Sequence, residues 1–209
     1  NNLFIKGAAE ILKPAQVAVS AIEHPCVARP AEALARRGWS VRKLAVTGEG
    51  VVNLADVDAA LQVRTGIVSE MLANNETGVI QPVAAVAERA RAAKAWMHTD
   101  AVQALGKIPV DFEALGVQAM TVSAHKIYGP KGVGALYVRS KAQVKLTPLI
   151  DGGVSYQAQR SVKPRRPFGA GFTFGAGPSK RTFERPWPSM PVTTRRSCFI
   201  VAMLSSLLS

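Results

Sequence analysis

The order of apolar runs along the first two thirds of the chain is the feature that most restricts its fold. Apolar runs of strand length, at residues 16–21 and 66–72, alternate with longer segments of helical spacing, at residues 54–61 and 83–94. Such alternation is typical of a mostly parallel sheet with helices on both faces. The sequence therefore predicts a three-layer α/β domain. Four more strands are predicted at 41–46, 95–99, 119–123 and 133–138, and one more helix at 31–37.

Polar side chains lie at or just after the ends of three predicted strands. Asn75 follows the strand at 66–72, Asp100 follows the strand at 95–99, and Ser123 ends the strand at 119–123. In open parallel sheets, ligands bind at the carboxyl ends of the strands. We therefore expect these three side chains to converge on one site.

A lysine follows the last of these strand ends within a glycine-rich segment. The segment from Ser123 to Gly134 reads Ser-Ala-His-Lys-Ile-Tyr-Gly-Pro-Lys-Gly-Val-Gly, with Lys126 beside His125. The glycines allow the backbone to approach a bulky ligand closely. An amine held rigidly in this way can attack a carbonyl group. Lys126 is therefore a candidate for a Schiff base with a carbonyl cofactor.

The polar residues upstream complete a set that suits pyridoxal phosphate. That cofactor needs a lysine, a carboxylate at its pyridine nitrogen, and phosphate donors near the lysine. These groups are present in chain order as Asp100, Gln103, Ser123, His125 and Lys126. Gln103 lies on the predicted first turn of a helix. Taken singly, Asp100 could instead cap a helix, Ser123 could be a strand-end hydroxyl, and Lys126 could be a solvated surface charge. The joint pattern favours a pyridoxal phosphate site.

These segments resemble the cysteine desulfurases, pyridoxal phosphate enzymes of the class V aminotransferase group. The resemblance covers about residues 1–153 and is carried by residues 2–7, 23–25, 74–78, 98–103 and 123–134. It implies an incomplete large domain of a pyridoxal-phosphate-dependent transferase. It also implies conversion of L-cysteine to L-alanine, with sulfur passed to an acceptor or an iron–sulfur scaffold protein. It further implies a homodimer that is located in the cytoplasm and takes part in iron–sulfur cluster assembly.

The resemblance also implies a role for each candidate residue. Lys126 would hold the cofactor covalently, Asp100 would pair with its pyridine nitrogen, and His24 would stack on its ring and assist proton transfer. Contacts to the phenolic oxygen are implied for Asn75 and Gln103, and contacts to the phosphate for Ser123 and His125. No metal site is predicted.

Both ends of the chain depart from the family pattern. The chain begins at Asn1, without methionine and after the position of the family's phosphate-binding loop, so we expect a fragment. It carries no secretory leader pattern, and secretion is not expected. Near the other end, Arg160 and Ser161 match only the first two residues of the family's Arg-Ser-Gly-Thr segment, and they do so at a shifted position. Arg160 is therefore a candidate for binding the substrate carboxylate, with a solvated tail charge as the alternative.

Residues 154–209 form a basic tail that differs in composition from residues 1–153. The tail holds nine Lys and Arg against one acidic residue, so it carries +8 of the net charge of +12. Because it is rich in Pro, Arg and Ser, we do not expect a regular domain there. It is either a frameshift product or a basic extension that binds polyanions, and a specific nucleic-acid partner is not expected. The apolar run at 198–208 is shorter than the roughly 20 residues of a membrane span.

The two cysteines bear on the mechanism and on the compartment. Two cysteines in 209 residues fit a reducing cytoplasm rather than a disulfide scaffold. Cys26 is predicted to be a small buried side chain at a helix start. Cys198 has basic neighbours but lacks the small-residue loop of a persulfide carrier. We therefore expect little or no activity from this chain. The alternatives are another class V aminotransferase or lyase, and a non-catalytic truncated domain with a polyanion-binding tail.

Overall fold

The computed structural model describes residues 1–139 and 146–149, together with the backbone of residues 198–203. In this part of the chain, seven strands form one sheet in the order β2-β1-β3-β4-β5-β6-β7. The strands are β1 (Gln16–Ser20), β2 (Ser40–Leu44), β3 (Thr65–Met71), β4 (Trp96–Asp100), β5 (Ala119–Ser123), β6 (Val133–Val138) and β7 (Cys198–Met203). The first five are parallel, and β6 and β7 are antiparallel additions at one edge. The predicted, mostly parallel sheet is confirmed.

Helices cover both faces of this sheet. The helices are α1 (Asn2–Ala9), α2 (Pro25–Ala33), α3 (Leu54–Ala60), α4 (Val83–Ala92) and α5 (Phe112–Leu115), and short 3₁₀ turns lie at Leu34–Arg37 and Ala124–Lys126. Side chains alternate across the sheet, so that Ile67 of β3 packs with Phe4 of α1 while the adjacent Val68 packs with Val86 of α4. Each face therefore has its own apolar core, and the three-layer prediction is confirmed.

Two predicted helical segments differ in the structure. The helix predicted at 31–37 begins six residues earlier, at Pro25, and residues 34–37 form a 3₁₀ turn. Proline suits the first position of a helix, where its missing N–H has no helical partner, but Pro30 inside the helix interrupts the sequence signal. Residues 102–107 form turns, so the prediction of a helix under Gln103 is wrong.

The basic tail contributes one described element. The backbone of β7 pairs antiparallel with β6, with Cys198 opposite Val138. Arg160 and the side chain of Cys198 lie outside the described residues, so the predictions for them stay predictions. In the described part of the chain, no helix has both the length and the apolar character that a bilayer span requires.

Candidate functional site

A cavity of about 570 Å³ opens at the carboxyl ends of β3, β4 and β5. Its lining includes His24, Asn75, Asp100, Gln103, Ser123, His125 and Lys126. The fold thus brings together every predicted site residue that lies within the described part of the chain. An amine, a carboxylate, a hydroxyl group, imidazoles and amides around one cavity are the groups that pyridoxal phosphate requires. The donor set therefore fits that cofactor.

Lys126 lies within a tight turn that directly follows β5. The turn is closed by a hydrogen bond from Gly129 N to Ala124 O at 2.9 Å. A Cβ atom at residue 129 would lie 2.8 Å from the Ala124 Cβ, so this turn needs glycine. Ser123 Oγ and His125 Nδ1 are 2.7 Å apart. Among the described residues, the Lys126 amine has no hydrogen bond or ion pair, so it is available to a ligand.

Asp100 is the last residue of β4, and its carboxylate is held in one orientation. Its Oδ1 accepts a hydrogen bond from Val102 N at 2.9 Å, and its Oδ2 accepts one from Asn1 Nδ2 at 2.7 Å. Because turns follow β4, Asp100 caps no helix, and that alternative explanation is wrong. The carboxylate therefore lines the cavity with a fixed direction.

A buried histidine that sequence reasoning did not identify supports the cavity wall. His98 is fully buried, with Nδ1 2.8 Å from Ser69 Oγ and Nε2 2.8 Å from Thr121 Oγ1. Its ring stacks on Phe4, with the centroids 4.8 Å apart. Burial lowers the pKa of His98 well below its usual value, so the ring is neutral. Since Thr121 lines the cavity, His98 fixes part of its wall.

His24 and Cys26 meet at the start of α2. His24 is the N-cap residue, and its Nδ1 accepts a hydrogen bond from Cys26 N at 3.2 Å. The Cys26 Sγ lies 2.9 Å from the same nitrogen and accepts a hydrogen bond from Asn1 Nδ2 at 2.9 Å. Burial raises the pKa of the Cys26 thiol. The prediction of a helix start is confirmed, but Cys26 is only half-buried: it packs against the apolar core and also lines the cavity.

The Asn75 loop is built by its neighbour Asn74. The Asn74 Oδ1 accepts hydrogen bonds from Glu76 N at 2.8 Å and Thr77 N at 2.9 Å. Its Nδ2 donates to Ile22 O at 3.2 Å, which ties the loop to the end of β1. This side-chain turn positions Asn75 at the cavity.

Two buried carboxyl groups lie beside the site, and sequence reasoning assigned no role to either. Glu23 Oε1 accepts hydrogen bonds from Ser20 Oγ at 3.0 Å and Met71 N at 2.5 Å. Glu23 Oε2 and both carboxyl oxygens of Glu70 are buried without a partner among the described residues. Burial, with the charge of Asp100 nearby, raises the pKa of Glu23 to about 8. Burial and the Glu23 charge raise the pKa of Glu70 well above its usual value. Both groups therefore favour the protonated form.

The sequence is similar to known proteins of one family. A family model described as class-V aminotransferase matches residues 1–176. A mitochondrial cysteine desulfurase of Candida albicans is 41% identical over 174 residues, which are 82% of this chain and 36% of that protein. The cysteine desulfurase IscS of Aeromonas hydrophila is 45% identical over 163 residues, 77% of this chain and 40% of that protein.

Solved structures agree with these sequence matches. A structure described as a NifS-like protein has a TM-score of 0.69 and 38% identity, and the match covers 73% of this chain and 42% of that one. A structure of SspA in complex with cysteine has a TM-score of 0.68 and 35% identity, covering 73% and 44%. The chain thus spans less than half the length of each of these relatives.

Proposed function

Because the chain belongs to the class-V aminotransferase family, we propose that it forms the cofactor-binding part of a cysteine desulfurase. Members of this family depend on pyridoxal phosphate. The proposed reaction takes L-cysteine, releases L-alanine and passes the sulfur to an acceptor protein. One observation carries the proposal: Lys126, Asp100, Ser123 and His125 line a single cavity at the strand ends.

The cavity residues divide into those that do chemistry and those that bind. When bound, pyridoxal phosphate supplies an electron sink for negative charge at the substrate α-carbon. The Lys126 amine would bind the cofactor carbonyl covalently and move protons at Nζ. The Asp100 carboxylate would keep a proton on the pyridine nitrogen, and the His24 ring would cover the aromatic face. Ser123 and His125 would donate hydrogen bonds to the phosphate.

The remaining parts of the proposal concern substrate and partners. Asn75 and Gln103 would bind the phenolic oxygen of the cofactor with their amide groups. Arg160 would bind the substrate carboxylate, since guanidinium groups pair with carboxylates in two parallel hydrogen bonds. We propose an iron–sulfur scaffold or another sulfur acceptor as the partner, a homodimer as the assembly, and the cytoplasm as the compartment.

Exchange of the substrate α-hydrogen tests this function without requiring sulfur transfer. We expect the 209-residue chain, loaded with pyridoxal phosphate in deuterated buffer, to exchange the α-hydrogen of L-cysteine faster than that of other amino acids. The exchange should be absent in Lys126→Ala. Faster exchange with another amino acid would favour a different class V reaction, and failure to bind the cofactor would favour a non-catalytic domain.

Sulfur release should behave differently from exchange. We expect little persulfide or sulfide release above the Lys126→Ala background. The sequence matches only part of the family's Arg-Ser-Gly-Thr segment, and it has no recognisable nucleophile loop. Strong release that depends on Lys126 and vanishes in Cys198→Ser would contradict this expectation. It would identify Cys198 as the nucleophile.

Asp100→Asn should separate cofactor chemistry from cofactor binding. The amide keeps the shape of the side chain but cannot hold the pyridine nitrogen protonated, so we expect α-hydrogen exchange to fall by about 100-fold or more. Cofactor retention should change by less than about 3-fold, since an asparagine still forms hydrogen bonds. Asp58→Asn, at an exposed ion pair with Arg89, is the matched control. Unchanged exchange in Asp100→Asn would remove Asp100 from this role.

A further inference from the structure

The imidazole of His24 lines the cavity, and its hydrogen bonds within the described part of the chain are made by Nδ1, not by Nε2. Nδ1 accepts the backbone N–H of Cys26 at 3.2 Å, which makes His24 the N-cap of α2. A backbone N–H can only donate, so Nδ1 must present its lone pair. In a neutral imidazole the single proton then sits on Nε2.

The thiol of Cys26 contacts the same nitrogen of the His24 ring. Its sulfur lies 2.9 Å from His24 Nδ1 and accepts a hydrogen bond from Asn1 Nδ2 at 2.9 Å. The acceptors within reach of the thiol proton are His24 Nδ1 and Asp100 Oδ2, which is 3.8 Å away. A thiol proton directed at Nδ1 requires Nδ1 to accept it, whereas a thiol proton directed at Asp100 leaves the backbone N–H of Cys26 as the donor to Nδ1. The backbone N–H of Cys26 therefore decides the form of the ring, and the thiol reinforces that form when its proton points to Nδ1.

We infer that Cys26 is a positioning residue that holds His24 as the Nε2–H tautomer, so that neutral His24 presents a hydrogen-bond donor, not a base, to the cavity. The group that receives this hydrogen bond rests on the proposed function, whereas the tautomer does not. In the neutral ring, Nε2 can accept a proton only if the ring proton has moved to Nδ1. Nδ1 then no longer accepts the hydrogen bond from Cys26 N that caps α2. The start of α2 is thus coupled to proton transfer at His24.

Nitrogen-15 NMR on the 209-residue chain without cofactor tests the tautomer directly. At a pH at which the ring is neutral, we expect the Nδ1 signal of His24 to be of the unprotonated type and Nε2 to carry the proton. A scalar coupling between Cys26 N and His24 Nδ1 should report the N–H···N hydrogen bond. Cys26→Ala removes the thiol but keeps the backbone donor, so the coupling should persist. A proton on Nδ1, or an absent coupling, would overturn the inference.

A pair of His24 variants tests the consequence in the cofactor-loaded chain. Glutamine can donate a hydrogen bond but cannot act as a base at neutral pH, and phenylalanine covers an aromatic face without donating. We expect His24→Gln to keep α-hydrogen exchange within about 10-fold of the unchanged chain and His24→Phe to lose about 100-fold. Equal losses in the two variants would contradict the donor role. If no exchange occurs in any variant, the proposed function fails, while the NMR result still decides the tautomer.

Discussion

Borohydride reduction of the cofactor-loaded chain is expected to attach pyridoxal phosphate to Lys126 and to no other lysine. Lys126 lies in the cavity with Asp100, and its amine has no partner among the described residues. Lys107 donates a hydrogen bond to Gln103 Oε1 at 2.5 Å and does not line the cavity. Only an amine beside the bound carbonyl reacts at a useful rate, since proximity supplies most of the advantage. Peptide mapping by mass spectrometry measures where the label is.

Two alanine variants make the labelling experiment decisive. Lys126→Ala should reduce the label by at least about 100-fold and remove the visible absorbance of the bound cofactor. Lys131→Ala, five residues further along the same glycine-rich segment, should keep both. Label on Lys107 or Lys131 in the unchanged chain would sink the assignment of Lys126.

Glu70→Gln is expected to stabilise the folded chain at neutral and alkaline pH. The folded state holds the Glu70 carboxyl protonated because burial raises its pKa, whereas the unfolded chain releases that proton at the usual pKa. A raised carboxyl pKa contributes stability that is complete at acidic pH and is lost as pH rises. For the neighbouring Glu23 the window runs from 4.5 to about 8. Glutamine is uncharged at every pH in this range, so Glu70→Gln removes the loss of stability that ionisation of Glu70 causes.

Urea unfolding at a series of pH values measures the effect. We expect Glu70→Gln to match the unchanged chain at pH values below the usual glutamate pKa of 4.5, and to exceed its free energy of unfolding by a margin that grows as the pH rises towards 8. Glu49→Gln, at an exposed carboxylate, is the control and should leave the pH dependence unchanged. Parallel pH profiles for Glu70→Gln and the unchanged chain would show that Glu70 does not hold a proton in the folded state.

The sequence by itself determined the layer architecture and the location of the site. Strands and helices are encoded by local spacing, so the alternation of apolar runs predicted β1, β3, β4, β5 and β6 to within one or two residues. The parallel arrangement then places the carboxyl ends of β1 to β5 at one edge of the sheet. Asp100, Ser123 and Lys126 could therefore be predicted to converge, because each lies at the end of a strand or in the turn that follows it.

The tertiary structure alone decided which side chains support that site. The Ser69–His98–Thr121 contacts join three different strands, and the Cys26 thiol reaches Asp100 across 74 positions of sequence. Glu23 and Glu70 likewise come together as a buried carboxyl pair only when the chain folds. No local period encodes such contacts, because they depend on how neighbouring strands and the start of α2 are placed in space. The predicted start of α2 is wrong for a related reason, because packing and not the local sequence pattern decides that helix boundary.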